Sequence, residues 1–137
     1  PMQWDNTPYA GFSTHEPWLP LTEDHRTRNV MTLRRDAHSI LSLYRNLLML
    51  RRRFKALHMG DWRRLDAPEK ILAYERRHDG ERIFVALNFG DVAAHVPLPE
   101  NGRLLLSTQG DRTDENITGA IRLRPDEGVM IAALPTD

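Results

Sequence analysis

Between Ile71 and Gly90, apolar and polar positions alternate in two runs, ILAYERRH and ERIFVALN, on either side of Asp79-Gly80. Asp-Gly tolerates the positive φ angles of a type I′ turn, whose twist matches the strands leaving it, so the pattern predicts a β-hairpin. With those two residues as the loop, Tyr74 falls opposite Val85 and Leu72 opposite Leu87, and Ile83 extends that face. Ile71, Ala73, Phe84 and Ala86 form the other face. A strand pair apolar on both sides is expected in the middle of a sheet, one face filling a sandwich core and the other meeting a second layer or a helix. Tyr74 and Val85 are therefore structural positions. The same register sets Arg77 against Arg82, a like-charge pair that a longer loop over His78 to Glu81 would relieve.

Upstream, the period changes. Ile40, Leu41, Leu43, Tyr44, Leu47, Leu48, Leu50 and Phe54 predict a helix over Ser39 to Phe54, with Asp36 or Ser39 as its cap. These residues cover roughly half the helix circumference, wider than the stripe of roughly 100° needed against one neighbour, so two layers of partners are expected. Arg45, Arg52 and Arg53 gather on the polar side, suited to the negative end of the helix dipole. Arg51 instead projects between Tyr44 and Leu47, where its guanidinium needs a carboxylate or several carbonyls. Asp61 is the local carboxylate candidate, and Arg51 is counted among the structural positions. Gly60 ends the helical region.

Residues 1 to about 36 keep no period, yet they contain Trp4, Trp18 and four prolines. A stretch this aromatic reads as a long ordered loop that packs on something rather than as disorder. After Gly60 come short strand-like runs at Asp61 to Leu65, the hairpin, Ala93 to Pro97, Arg103 to Ser107, Ile117 to Leu123 and Gly128 to Leu134. Turn residues separate them, as in an antiparallel β-sandwich. The fold class expected is mainly β.

Composition narrows the function classes. At 137 residues the chain holds one domain with a core, or a small domain and part of another. Nineteen basic and nineteen acidic residues cancel, so no global charge draws it to nucleic acid or an anionic membrane. The Arg51-Arg52-Arg53 run splits between two helix faces and is no basic patch. There is no cysteine, hence no disulfide, thiolate metal site or cysteine nucleophile, which fits a reducing, cytoplasmic setting. No apolar run approaches the roughly 20 residues that span a bilayer, and the first dozen residues do not read as a signal peptide. The chain starts at Pro1 rather than methionine, as a fragment or processed product would. Six histidines avoid helical i, i+3 and i+4 spacing, so no metal or other cofactor is expected. Neighbouring carboxylates at Glu23-Asp24, Asp114-Glu115 and Asp126-Glu127 read as solvated loop residues. Asn116-Ile117-Thr118 is a formal glycosylation sequon, expected to be idle.

Three stretches resemble the α-amylase superfamily of glycoside hydrolases, in its α-glucosidase and oligo-1,6-glucosidase branch. PMQWDNTPYAGFSTHEPWLP, residues 1–20, is similar to the segment after the seventh barrel strand. Trehalose synthases share a similar PMQW and AGFS, but PWLP is closer to the α-glucosidases. SILSLYRNLLMLRRRFKAL, residues 39–57, resembles the last barrel helix. AYERRHDGERIFVALNFGD and LRPDEGVMI resemble the C-terminal antiparallel, Greek-key-like sandwich.

The resemblance implies that residues 1–57 are the terminal loop and helix of a (β/α)8 barrel and that 58–137 are a C-terminal sandwich. It also implies a parent activity of retaining hydrolysis of α-glucosidic bonds by an aspartate nucleophile and a glutamate acid/base. In the family those groups lie upstream of PMQWD, so no catalytic residue is carried over and the chain alone is expected to be inactive. Gln3, Trp4 and Asp5 are the substrate-binding candidates, since the corresponding loop lies near the leaving-group side of the sugar pocket. The competing expectation is that Trp4, Phe12 and Trp18 pin the loop in place. Expected partners are an α-glucoside through the parent enzyme, and either the missing barrel or a second copy against the apolar face of helix 39–54. A second reading is an independent carbohydrate-binding or interaction module offering Trp4, Trp18 and Trp62.

Overall fold

The computed structural model describes residues 1–135, which divide into two compact units, Pro1–Leu47 and one that begins at Leu48. In the first unit, residues 1–29 contain no helix or strand. The loop is nonetheless tied, because the amides of Val30 and Met31 donate to the carbonyls of Gln3 and Trp4 at 3.0 and 2.9 Å. A single-turn helix, α1 (Val30–Leu33), starts there, and the buried Asn29 caps it by accepting the Thr32 amide at 2.9 Å. The long helix α2 (Ile40–Arg53) agrees with its apolar period to within a residue at each end. Ser39 is its cap, accepting the Ser42 amide at 3.1 Å. Of the wide apolar face only Leu50 is buried, while Ile40 and Tyr44 are more than half exposed.

Of the two kinds of partner expected for Arg51, it meets a carbonyl and not the carboxylate of Asp61. Its Nη1 donates to the carbonyl of Leu57 at 2.8 Å, and the residue is exposed. The chain breaks from helix at Phe54 and resumes as α3 (Ala56–Met59), which brings the Leu57 carbonyl within reach.

The second unit is an antiparallel sandwich. Its strands are β1 (Asp61–Arg64), β2 (Ile71–His78), β3 (Glu81–Asn88), β4 (Ala94–Pro97), β5 (Gly102–Ser107), β6 (Asn116–Ile117), β7 (Ala120–Leu123) and β8 (Gly128–Ala133). One sheet runs β1-β2-β3-β8-β5-β6 and the other pairs β4 with β7. The hairpin lies inside the larger sheet, as its two apolar faces require. Its register is the expected one, with Tyr74 opposite Val85, Leu72 opposite Leu87 and Arg77 opposite Arg82. The loop is the two-residue Asp79-Gly80, both at positive φ (45° and 82°), so no longer loop relieves the arginines.

The core fills between the sheets with Ile71, Ala73, Phe84, Ala86, Leu104, Val129 and Ile131 from one side and Val96, Ile121 and Leu123 from the other. The opposite side of the hairpin buries Ile83 and Val85, and α3 packs on the hairpin. Two hairpin side chains fasten α3 at its ends: Glu81 Oε1 accepts the Ala56 amide at 2.6 Å, and Arg76 donates to the carbonyls of Ala56 and Gly60 at 3.1 and 2.7 Å. The run from Ile117 to Leu123, expected as one strand, is two. It turns at Gly119, φ 71°, so that Ile117 pairs with β5 and residues 120–123 pair with β4 in the other sheet.

Candidate functional site

The loop that carries Gln3, Trp4 and Asp5 closes on itself. The amides of Trp4 and Asp5 both point to the carbonyl of Ala10, at 2.8 and 3.2 Å, and Ala10 is fully buried. Asp5 holds the turn between them. Its Oδ1 accepts the Thr7 amide at 2.9 Å and the Thr7 hydroxyl at 2.6 Å, and these bonds, hydroxyl first, lower the Asp5 pKa. The turn then passes Gly11, at φ 65°, where an added Cβ would lie 2.6 Å from Asp5 Oδ2. Oδ1 is thus committed to its own loop.

Gln3 is placed differently. Its Nε2 donates to the hydroxyl of Thr22, and that hydroxyl lies 2.8 Å from Asp24 Oδ1. The Trp4 side chain is about half exposed, as are Met2 and Phe12, and Trp18 is 92% exposed. Trp18 is thus almost uncovered, while Trp4 and Phe12 are half covered. All three sequence candidates keep a group free of protein hydrogen bonds: Gln3 Oε1, the half-exposed Trp4 ring and Asp5 Oδ2.

Tyr74 is half-buried beside Trp62, with ring centroids 6.0 Å apart, and Trp62 sits on the exposed edge strand β1. Val85 is buried on the α3 side of β3.

Several carboxylates in the sandwich are held by arginines. Glu75 is completely buried, with Arg63 Nη2 2.9 Å from Oε2, and Arg82 Nε on Oε1. Arg77 Nε stands 3.8 Å from the same Oε1, and Arg82 reaches on to Glu100 at 2.7 Å. The strand period already places Glu75 on the face of Ile71 and Ala73, which is the signal that marks it as buried.

The second cluster corrects an expectation. Glu127 is not a solvated loop residue but is buried, because the Pro125-Asp126 turn, with Asp126 at φ 53°, sends it inward. Its partners are the Ser107 hydroxyl at 2.7 Å, the Arg124 amide at 2.8 Å and the Arg124 guanidinium at 2.8 Å. Burial pushes its pKa up, but the Arg124 guanidinium and amide and the Ser107 hydroxyl outweigh this and bring it down to about 2. Arg124 also forks onto Asp111 at 2.6 and 2.7 Å, lowering that carboxyl to about 2. Arg112 pairs with Glu115 at 2.8 Å and lowers its pKa. The i, i+3 spacing of Arg124 and Glu127 across the turn is the sequence trace of this network. Glu127, buried with both oxygens multiply bonded, stiffens the turn and is not open to a sugar, whereas Asp111 and Glu115 keep part of their surface in solvent.

Among the described residues no group of three or more His, Asp or Glu is arranged to hold a metal ion, and no helix is long and apolar enough to cross a membrane.

Two family models match the chain in succession, the α-amylase catalytic domain over residues 1–60 and the maltogenic amylase C-terminal domain over residues 63–120. The oligo-1,6-glucosidase of Halalkalibacterium halodurans is 35% identical over 135 residues, covering 93% of this chain and 24% of that protein. The human amino acid transporter heavy chain SLC3A1 is 36% identical over 140 aligned residues, covering 95% of this chain and 20% of that protein. Among solved structures, the trehalulose synthase MutB of Pseudomonas mesoacidophila MX-45 superposes with a TM-score of 0.81 at 28% identity, over 95% of this chain and 24% of that one. The chain therefore spans about a quarter or less of the length of these proteins.

Proposed function

Because this chain belongs to the α-amylase family of glycoside hydrolases, we propose that it is the non-catalytic C-terminal portion of an α-glucosidase-like protein. On this reading residues 1–57 supply the last loop and helix of a catalytic barrel, and residues 58–137 form a sandwich that braces it. The parent reaction is retaining hydrolysis of α-glucosidic bonds in short glucans or disaccharides, in the cytoplasm, with both catalytic carboxylates outside this chain. One observation carries the reading: likeness to a catalytic domain runs to residue 60 and likeness to a C-terminal domain begins at residue 63. The arginine-bound state of Glu75, Glu127 and Asp111 supports it, since none is poised as a nucleophile or acid.

The uncovered face of α2 fits the same reading. Burying one large apolar side chain is worth roughly 1.5 to 3 kcal/mol, so Ile40, Tyr44 and Leu48 favour the rest of a barrel or, without it, a second copy of this chain. Incubation with a chromogenic α-glucoside should release no product above the blank, and turnover would overturn the non-catalytic assignment. Sedimentation at two concentrations with a hydrophobic dye should show association and dye uptake; a monomer that binds no dye contradicts the role given to α2.

The exposed tryptophans support a second reading, an independent carbohydrate-binding or interaction module. Titration with maltose and isomaltose separates the two, since millimolar or tighter binding without turnover favours the module.

A further inference from the structure

We propose that Thr22 is a positioning residue for Gln3, turning its amide so that the carbonyl oxygen, and not the NH2 group, is offered to a sugar hydroxyl. The inference rests on the reading that Gln3 and Trp4 contact an α-glucoside. A count of protons leads to it. The Thr22 hydroxyl has one proton, and Asp24 Oδ1 at 2.8 Å, a carboxylate oxygen, can only accept it. The other Asp24 oxygen is 3.4 Å from Arg28 Nη1. Toward Gln3 the same hydroxyl is therefore an acceptor, so the atom that meets it must be Nε2. No protein donor reaches Gln3 Oε1 among the described residues.

Both ends of the arrangement are anchored. The Gln3 carbonyl is held by the Val30 amide, and the Thr22 carbonyl accepts from the His25 amide at 3.2 Å and lies 3.0 Å from His25 Nδ1. The Asp24 carbonyl takes the amides of Thr27 and Arg28 at 3.0 and 2.8 Å. Asp5 Oδ1 is spent on Thr7, so the acceptors this stretch keeps are Gln3 Oε1 and Asp5 Oδ2, with the half-exposed indole of Trp4 between them in the chain. An acceptor and an indole face suit a pyranose, which gives a hydroxyl proton to the acceptor and lays its C–H face on the ring.

The test uses the full 137-residue chain and reads the Gln3 side-chain NH2 directly by amide NMR. In the unaltered chain one of the two protons should be shifted and protected from exchange. Thr22→Val, which keeps the shape and loses the hydroxyl, should return the pair to the position of a free glutamine, and Thr22→Ser should restore it. Gln3 signals that ignore Thr22→Val overturn the positioning role. Titration with isomaltose and with maltose, read by tryptophan fluorescence, gives the second arm. Thr22→Val and Gln3→Met should each weaken binding by about 3- to 10-fold, with no further loss in the double variant and recovery in Thr22→Ser. Binding indifferent to both substitutions overturns the sugar-facing role of Gln3. Absence of saturable binding to the unaltered chain rejects the underlying sugar-contact reading, while the NMR arm still decides what Thr22 does to Gln3.

Discussion

Arg77 and Arg82 face each other across the β2–β3 register, and both guanidinium groups turn to one oxygen of the buried Glu75. A like-charge cross-strand pair is thereby converted into a carboxylate with cations on several sides. The partners differ in exposure, and this decides which loss is worse. Arg63 and Arg77 are more than half exposed, whereas Arg82 is three-quarters buried. Glu75→Met releases arginines that can reach water, so it should cost less than Arg82→Met, which leaves a fully buried carboxylate short of its main partner. We expect about 3 kcal/mol for Arg82→Met and clearly less for Glu75→Met by urea denaturation. The reverse order would mean that the arginines, not the carboxylate, need the pairing.

Val85→Ala removes two buried methyl groups from the α3 side of the hairpin and should cost about 2 kcal/mol. Tyr74→Ala, at a half-buried position where Trp62 can shift to cover the gap, should cost about 1 kcal/mol. Equal losses in thermal melts would show Tyr74 to be more than a cover for the sheet.

Acid should loosen the β8 end of the sandwich through Glu127. Its folded pKa, about 2, lies below its ordinary value of 4.5, so below pH 4.5 the unfolded chain binds more protons than the folded one. The stabilisation is complete above about pH 4.5 and is lost as pH falls toward 2. Urea midpoints measured between pH 7 and pH 2.5 should drop over that window, and Glu127→Gln should flatten the drop. A pH profile identical in the variant would assign the acid sensitivity to other carboxylates.

Arg51→Met should change stability by no more than about 1 kcal/mol, because the guanidinium is exposed and meets a single carbonyl, that of Leu57. A loss above about 2 kcal/mol in the same denaturation assay would require an ionic partner for Arg51.

The hairpin was legible in the sequence down to its register because a two-residue period and an Asp-Gly turn admit only one pairing. The α2 boundaries were legible for the same kind of reason, with Ser39 as cap. The fates of the charged residues were less so. Glu75 could be placed on the core face by counting, but which arginines would reach it depends on β1 and on Glu100, both distant in the chain. Glu127 looked like a turn residue because Asp126 at positive φ reverses the chain locally, a choice that residue type alone does not specify. The division of Ile117 to Leu123 between two sheets likewise depends on one backbone angle at Gly119. In the Gln3 loop, sequence marked the three neighbouring side chains as equals. The hydrogen bonds separate them: Asp5 closes the turn, and Gln3 is aimed by Thr22.

The position of β8 has a consequence for the order of events when the chain is made. β8 pairs with β3 on one side and β5 on the other, yet it follows both of them in the chain. Until residues 128–133 have emerged, the hairpin and β5 have no shared neighbour, and the apolar faces of Phe84 and Leu104 wait for Ile131 to join them. The larger sheet therefore cannot close before β8 is made, and for that interval the nascent chain carries two sheet edges with the same vacancy between them.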